Sequence, residues 1–221
     1  MLVAFATAAA GLSVWFIQKS RKRKAEVSQR KQVLYASVIP AAENKEGDLI
    51  PETIYIGNAG LVLTSPFLPH LFETLGLLCE DEQGHTRLRD KEAVSRAVHL
   101  LQYLVDGSTS APEPSLALNK IICGVATSTT VERGIVPTEQ EREVCERLLK
   151  SMIANWKIIE NTSIAGLQET FLQREGRLDS TPEGWKLKVQ RKTLDVLVDQ
   201  LPWSLSVIFH NWMSQSLHVT W

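Results

Sequence analysis

The stretch LPWSLSVIFHNWMSQSLHVTW, residues 201–221, holds three of the chain's six tryptophans beside two short runs of β-type residues. A tryptophan side chain combines a large apolar ring with an N–H group that needs a hydrogen-bond partner when buried. We therefore expect Trp203, Trp212 and Trp221 to lie half-buried, against other elements of the domain or against another subunit. This composition favours a docking surface over an active site.

The segment before this terminus alternates in polarity. Trp185, Leu187 and Val189 are separated by lysines, which predicts a half-buried antiparallel strand. The loop STPEG predicts a hairpin that joins this strand to residues 176–179. The basic run Lys186–Lys192 is interpreted as solvation and edge protection of the strand.

Helical patterns precede these strands. Asp90 is expected to cap a helix that ends at Gly107, and Thr138 with Glu141 forms a predicted capping box for another. Ile54–Ile56 and Leu61–Leu63 are expected to form an extended lead-in. Because helices and strands are segregated along the chain, we predict an α+β fold, in which a mainly helical domain is followed by a small antiparallel sheet at the C-terminus.

Aromatic residues of two regions are the candidates for an interface. In PFLPHLFETLGLL, residues 66–78, apolar residues recur at helical spacing and predict a face that must be buried. The alternative is that the aromatic residues only complete the core of their own domain. The candidate interface residues are Phe67, Phe72, Trp185, Trp203, Trp212 and Trp221.

The N-terminal segment has a different composition. Leu2–Ile17 carries no charge and is followed at once by the basic run Lys19–Lys24. As a helix the uncharged run reaches about 24 Å, against about 30 Å of hydrocarbon in a bilayer, so membrane insertion and a soluble hydrophobic helix both stay open. The predicted organisation is a hydrophobic helix over residues 1–18, a basic stalk and linker over 19–50, and a globular domain over 51–221.

Nothing in the sequence predicts catalysis. No nucleophile elbow, phosphate loop or paired carboxylate motif occurs, and the five histidines lack metal-ligand spacing, so we expect no catalytic residue, cofactor or metal. Cys79, Cys123 and Cys145 are interpreted as buried thiols of a protein in a reducing cytoplasm. A formal charge of −1 predicts no binding to nucleic acid.

Five ordered segments carry a resemblance to a known family. They are residues 54–78 (IYIGNAGLVLTSPFLPHLFETLGLL), 97–107 (AVHLLQYLVDG), 116–125 (LALNKIICGV), 171–203 (FLQREGRLDSTPEGWKLKVQRKTLDVLVDQLPW) and the C-terminal stretch. Together they resemble the contractile injection system tape measure family over about residues 54–221. The resemblance implies a non-enzymatic component of a phage-tail-like particle, which occupies the lumen of the inner tube and sets its length during assembly.

The resemblance also implies the partners, which are the inner tube protein and the baseplate hub, spike or cap proteins. Residues 2–17 then have three interpretations. They are an apolar segment that is held in the lumen and meets a target membrane, or the end of a longer ruler whose gene starts upstream. The third interpretation is a membrane anchor. This third interpretation defines the alternative function, an adaptor that keeps its globular domain in the cytoplasm and recruits a particle to the membrane.

Overall fold

A computed structural model describes residues 52–221. The predicted N-terminal helix and the basic stalk lie outside these residues. The helices are α1 (Leu68–Thr74), α2 (Lys91–Asp106), α3 (Ala117–Ile122), α4 (Glu139–Asn155) and α5 (Ile164–Leu167), which continues into a π-helical turn (Gln168–Leu172). Short 3-10 helices cover Ala59–Phe67, Glu113–Leu116, Lys157–Ile159, Thr193–Val196 and Val198–Gln200.

The strands form two sheets. They are β1 (Thr53–Ile56), β2 (Leu78–Glu80), β3 (Thr86–Leu88), β4 (Gly176–Thr181), β5 (Gly184–Val189), β6 (Val207–Ile208) and β7 (Ser216–Thr220). β2 and β3 form a small hairpin, and the other strands form a five-stranded sheet in the order β1-β4-β5-β7-β6. The α+β class is confirmed, with most helices before the sheet.

One strand pair differs from the expected antiparallel sheet. β5 and β7 are parallel, with Trp185 opposite Leu217, whereas the other three pairs of the large sheet are antiparallel. A parallel pair needs a long crossover connection, and the chain between β5 and β7 supplies one that contains two 3-10 helices and β6. The sheet is therefore mixed.

The helix termini form as their sequences predict. The Asp90 carboxylate accepts from the Ala93 N–H at 2.8 Å at the start of α2, and Gly107, with φ of 74°, ends that helix in the left-handed conformation. At the start of α4 the Thr138 hydroxyl accepts from the Glu141 N–H at 3.2 Å, and the Thr138 N–H donates back to the Glu141 carboxylate at 2.7 Å.

The predicted extended lead-in is half right. Ile54 and Ile56 lie in β1, but Leu61–Leu63 lie in the 3-10 helix Ala59–Phe67. Residues 59–65 of this helix are all buried, so the segment has no polar face that would reveal a helical period. The periodicity of a short, fully buried apolar run does not distinguish a strand from a helix.

The core joins the sheet to the helices. Inner-face residues Leu178, Leu187 and Leu217 belong to one apolar cluster with helix residues such as Leu100 and Met152. The opposite face of β5 carries Lys186 and Lys188, which are exposed. The outward face of this strand is therefore as predicted. The interpretation of the basic run Lys186–Lys192 as edge protection is wrong, because β5 lies between β4 and β7 inside the sheet.

Candidate docking surface

The C-terminal region begins against an aromatic cluster. The ring of Trp203 lies 5.4 Å from that of Phe67 in an edge-on arrangement and 6.5 Å from that of Trp156. Trp156 also stacks at an angle on Phe171, with 4.8 Å between ring centroids. Such tilted and edge-on pairs suit the charge distribution of aromatic rings. Trp203 thus attaches the C-terminal region to the helical part of the domain.

Trp212 is buried in a second cluster. Its ring lies 5.2 Å from that of Phe72 and is stacked on His210 at 4.5 Å. Its indole N–H donates to the carbonyl of Ile122 at 2.9 Å, so the polar atom of this large side chain is satisfied. Trp212 is a core residue in this domain, and Phe72, which is fully buried, is another.

Trp221 reaches a buried ion pair. Its indole N–H donates to the Asp195 carboxylate at 2.9 Å, and the same carboxylate pairs with the guanidinium of Arg174 and accepts from the Lys192 N–H at 2.8 Å. Arg174 and Asp195 are each 1% exposed or less. A buried carboxylate is stable only with such a set of donors, so Trp221 has a structural task in its own domain.

The six predicted interface residues therefore fall into two groups. Phe72 and Trp212 are buried, and Phe67, Trp185, Trp203 and Trp221 are half-buried and packed against the core. Trp185 lies on the inner face of β5 beside Leu217. All six contribute to the packing of this domain, and a part in an interface stays a prediction for them.

Sequence reasoning missed the apolar residues that are exposed. Val207 and Phe209 are 53% and 59% exposed and flank the buried Ile208, so they project from the opposite face of β6. The run of three apolar residues Val207–Phe209 contained this signal, because successive side chains of a strand point to opposite faces. If one face of such a strand is exposed, apolar side chains are exposed with it. Leu194 and Val196 of the 3-10 helix Thr193–Val196 are exposed as well.

One polar pair resembles a nucleophile and its base. The Ser65 hydroxyl lies 3.1 Å from Nε2 of His210, and burial lowers the pKa of His210 to about 4. The imidazole is therefore neutral at pH 7. Ser65 is only 7% exposed, and across residues 52–221 we find no carboxylate bonded to the other ring nitrogen of His210. The pair links the helix Ala59–Phe67 to the C-terminal region.

The cysteines and acidic residues show no reactive arrangement in the described chain. Cys123 and Cys145 are buried and unpaired, as predicted, but Cys79 is partly exposed, so the prediction of a buried thiol is wrong for that residue. Burial raises the pKa of the Cys145 thiol to about 12 and raises that of Cys123 further, so both are protonated at neutral pH. Residues 52–221 contain no group of His, Cys, Asp and Glu placed to hold a metal ion.

The sequence left membrane insertion open only for residues 2–17, which lie outside the described residues. Among the helices of residues 52–221, none combines the length and the apolar character needed to cross a bilayer.

Comparison with known proteins identifies the family. The family model described as contractile injection system tape measure protein matches residues 13–221, which is nearly the whole sequence. The match begins 41 residues before the first segment that carried the resemblance, which starts at residue 54. The chain belongs to the contractile injection system tape measure protein family. Neither a curated protein nor a solved structure gave a significant match. Family membership assigns the chain a structural role in an injection particle.

Proposed function

We propose that this chain is the ruler of its particle: it occupies the lumen of the inner tube, sets the tube length during assembly and has no catalytic role. The observation that carries this proposal is the family match, which spans both the described domain and most of the segment before it. In this proposal residues 19–50 contribute length, and the domain of residues 51–221 docks to the inner tube protein and to the baseplate hub, spike or cap.

The packing of the domain supports a distinction between residues that stabilise its core and residues that shape its docking surface. A docking module needs a rigid frame, and the frame here is the apolar core closed by Trp203, Trp212 and Trp221. The half-buried aromatic residues, Phe67, Trp185, Trp203 and Trp221, shape the surface next to it. Trp212 and Phe72 act through stability, because both are inaccessible to a partner.

Deletion with complementation tests this function. Particles purified from cells that lack the chain should have tubes of uncontrolled length or no tubes, and the complete chain should restore one defined length. Mass spectrometry of the purified, lipid-free particles should detect the chain. Particles of normal, uniform length that form without the chain would contradict the proposal.

The second candidate is a membrane-anchored adaptor, which rests on the uncharged run Leu2–Ile17 and the basic residues after it. It predicts that the chain fractionates with membranes and needs detergent for extraction. A ruler is recovered instead inside purified particles without detergent, so one fractionation experiment separates the two.

A further inference from the structure

The outer face of the five-stranded sheet is open to solvent and has a defined pattern of charge. In one cross-strand row, Asp179, Lys186, His218 and Val207 lie side by side on four neighbouring strands. In the next row, Arg177, Lys188 and Thr220 are neighbours. Apart from the partly exposed Asp179, the side chains of both rows are exposed.

Two lysines on this face make no ion pair within the described residues, although Lys186 lies opposite Asp179 in the register. The Arg177 guanidinium donates to the Asp179 carboxylate at 2.9 Å, which also accepts from the Thr53 hydroxyl. Within residues 52–221, neither Lys186 nor Lys188 has an ion pair. Neighbouring strands are about 4.8 Å apart and residues two positions apart on one strand are about 7 Å apart, so these cations are close neighbours.

One neighbouring pair on this face is unfavourable in the isolated domain. Lys188 is directly opposite Arg177, and like charges directly opposite each other on neighbouring strands are destabilising. Protection of a sheet edge does not account for these lysines, because β5 is flanked on both sides. A carboxylate from outside the domain would remove the repulsion.

The same face ends in an apolar margin at the free edge. Val207 lies in register with His218, two strands from Lys186, and Phe209 follows it. Both side chains are more than half exposed. A surface that combines exposed large apolar side chains with unpaired cations has the composition of a protein interface, in which an apolar part is bordered by charges.

We propose that the outer face around Lys186, Lys188 and Val207 docks a segment of another particle protein that carries carboxylates beside apolar side chains. This inference rests on the proposed function. A second copy of this chain fits the face poorly, because symmetric pairing of two such faces places lysines against lysines. A polyphosphate chain fits poorly as well, since Asp179 lies within the patch and Val207 and Phe209 offer it no partner.

Photo-crosslinking in the complete particle tests the inference. p-Benzoylphenylalanine replaces Val207 in the full-length chain, and in a control chain it replaces Val136, another highly exposed valine. The expected result is a crosslink from position 207 to a carboxylate-bearing segment of a different particle protein, with no such product from position 136. Equal products from both positions, or a crosslink only to a second copy, nucleic acid or lipid, would overturn the inference.

Charge variants add a second readout. Lys186→Glu with Lys188→Glu should reduce the crosslink yield from position 207 by roughly tenfold, which corresponds to about 1.4 kcal/mol. Lys186→Gln with Lys188→Gln should give an intermediate loss without introducing repulsion. The control pair Lys91→Glu with Lys157→Glu makes the same change in net charge at exposed sites away from this face and should leave the yield unchanged.

The failures are distinguishable. Suppose that the chain is present in particles of defined length, and that neither the Glu nor the Gln double variant of Lys186 and Lys188 changes the crosslink yield from position 207. The docking inference is then wrong and the ruler function stands. If purified particles do not contain the chain, the proposed function is wrong and the inference fails with it.

Discussion

The indole N–H of Trp221 donates to the carboxylate of Asp195 at 2.9 Å, so the last residue of the sequence supplies a hydrogen bond to a fully buried charge. Asp195 also pairs with Arg174, which lies two residues before the start of β4. Through these contacts the end of β7, the 3-10 helix Thr193–Val196 and the start of β4 meet at one buried carboxylate. The C-terminal stretch is thereby part of the frame of the domain.

Trp221→Phe keeps most of the ring and removes this hydrogen bond. Because a buried charged acceptor loses a donor, we expect the free energy of unfolding to fall by about 1.5–3 kcal/mol, measured by urea denaturation. Trp203→Phe is the matched control, since the Trp203 N–H is buried without a partner in the described chain. It should cost less than about 1 kcal/mol. Equal losses in the two variants would contradict this role of Trp221.

Removing one charge of the buried Arg174–Asp195 pair should lower the free energy of unfolding more than removing both charges. Asp195→Asn leaves the Arg174 guanidinium without a counter-charge and should cost about 3–5 kcal/mol. The double variant Asp195→Leu with Arg174→Met removes both charges, and we expect a smaller loss than for Asp195→Asn alone. Chemical denaturation of both variants measures the difference. A double variant less stable than the single one would show that the pair contributes net stability.

Some of these features were predictable from local sequence and some were not. The helix caps at Asp90 and Thr138 formed as predicted, because a cap depends on residues within one turn. The parallel pairing of β5 with β7 depends on residues about thirty positions apart, which periodicity does not report. Asp195 lies between Leu194 and Val196, and nothing in this local sequence predicts a buried carboxylate. Two of its partners, Arg174 and Trp221, are each more than twenty residues away.

Some features of the candidate docking surface were also predictable from local sequence, and others were not. The alternation of Trp185, Leu187 and Val189 with lysines correctly predicted which side chains of β5 face outward. The position of β5 inside the sheet, and so the proximity of Lys188 to Arg177, follows only from strand order. For the tryptophans the sequence left core and interface open, because both environments favour the same residue type.

His210 should make stability depend on pH. Burial lowers its pKa to about 4 from the ordinary 6.5, so between these values the unfolded chain binds a proton that the folded chain does not. The contribution of neutral His210 to the free energy of unfolding is therefore fully present above pH 6.5 and is lost as the pH falls towards 4. We expect His210→Gln to reduce the slope of unfolding free energy against pH in this window.

The control for this experiment is His70→Gln, which changes an exposed histidine and should leave the slope as in the parent chain. The measurement is a series of urea denaturations from pH 7 to about pH 4, compared between variants so that the titration of carboxylates cancels. An identical slope for His210→Gln and the parent chain would contradict the assignment.

Gly124 permits a close approach to the C-terminal region. Its φ is 73°, and a Cβ atom there would lie 2.1 Å from the carbonyl oxygen of Trp212. Gly124→Ala should therefore shift the backbone of the Trp212 segment and cost at least about 3 kcal/mol, more than left-handed strain alone. Gly76→Ala has a similar φ of 62° and open space, so it should cost only about 1–2 kcal/mol. Thermal unfolding of both variants checks the difference.

The proposed ruler function predicts that the tube lengthens in particles whose chain has been lengthened. Insertions of about 20, 40 and 60 helix-forming residues between residues 25 and 36 should lengthen the tube by about 30, 60 and 90 Å, measured by electron microscopy. The same insertions in the exposed turn between β2 and β3, at residues 82–84, should leave the length unchanged. Tubes of constant length across the first series, with the lengthened chain present in the particles, would show that this chain does not set the tube length.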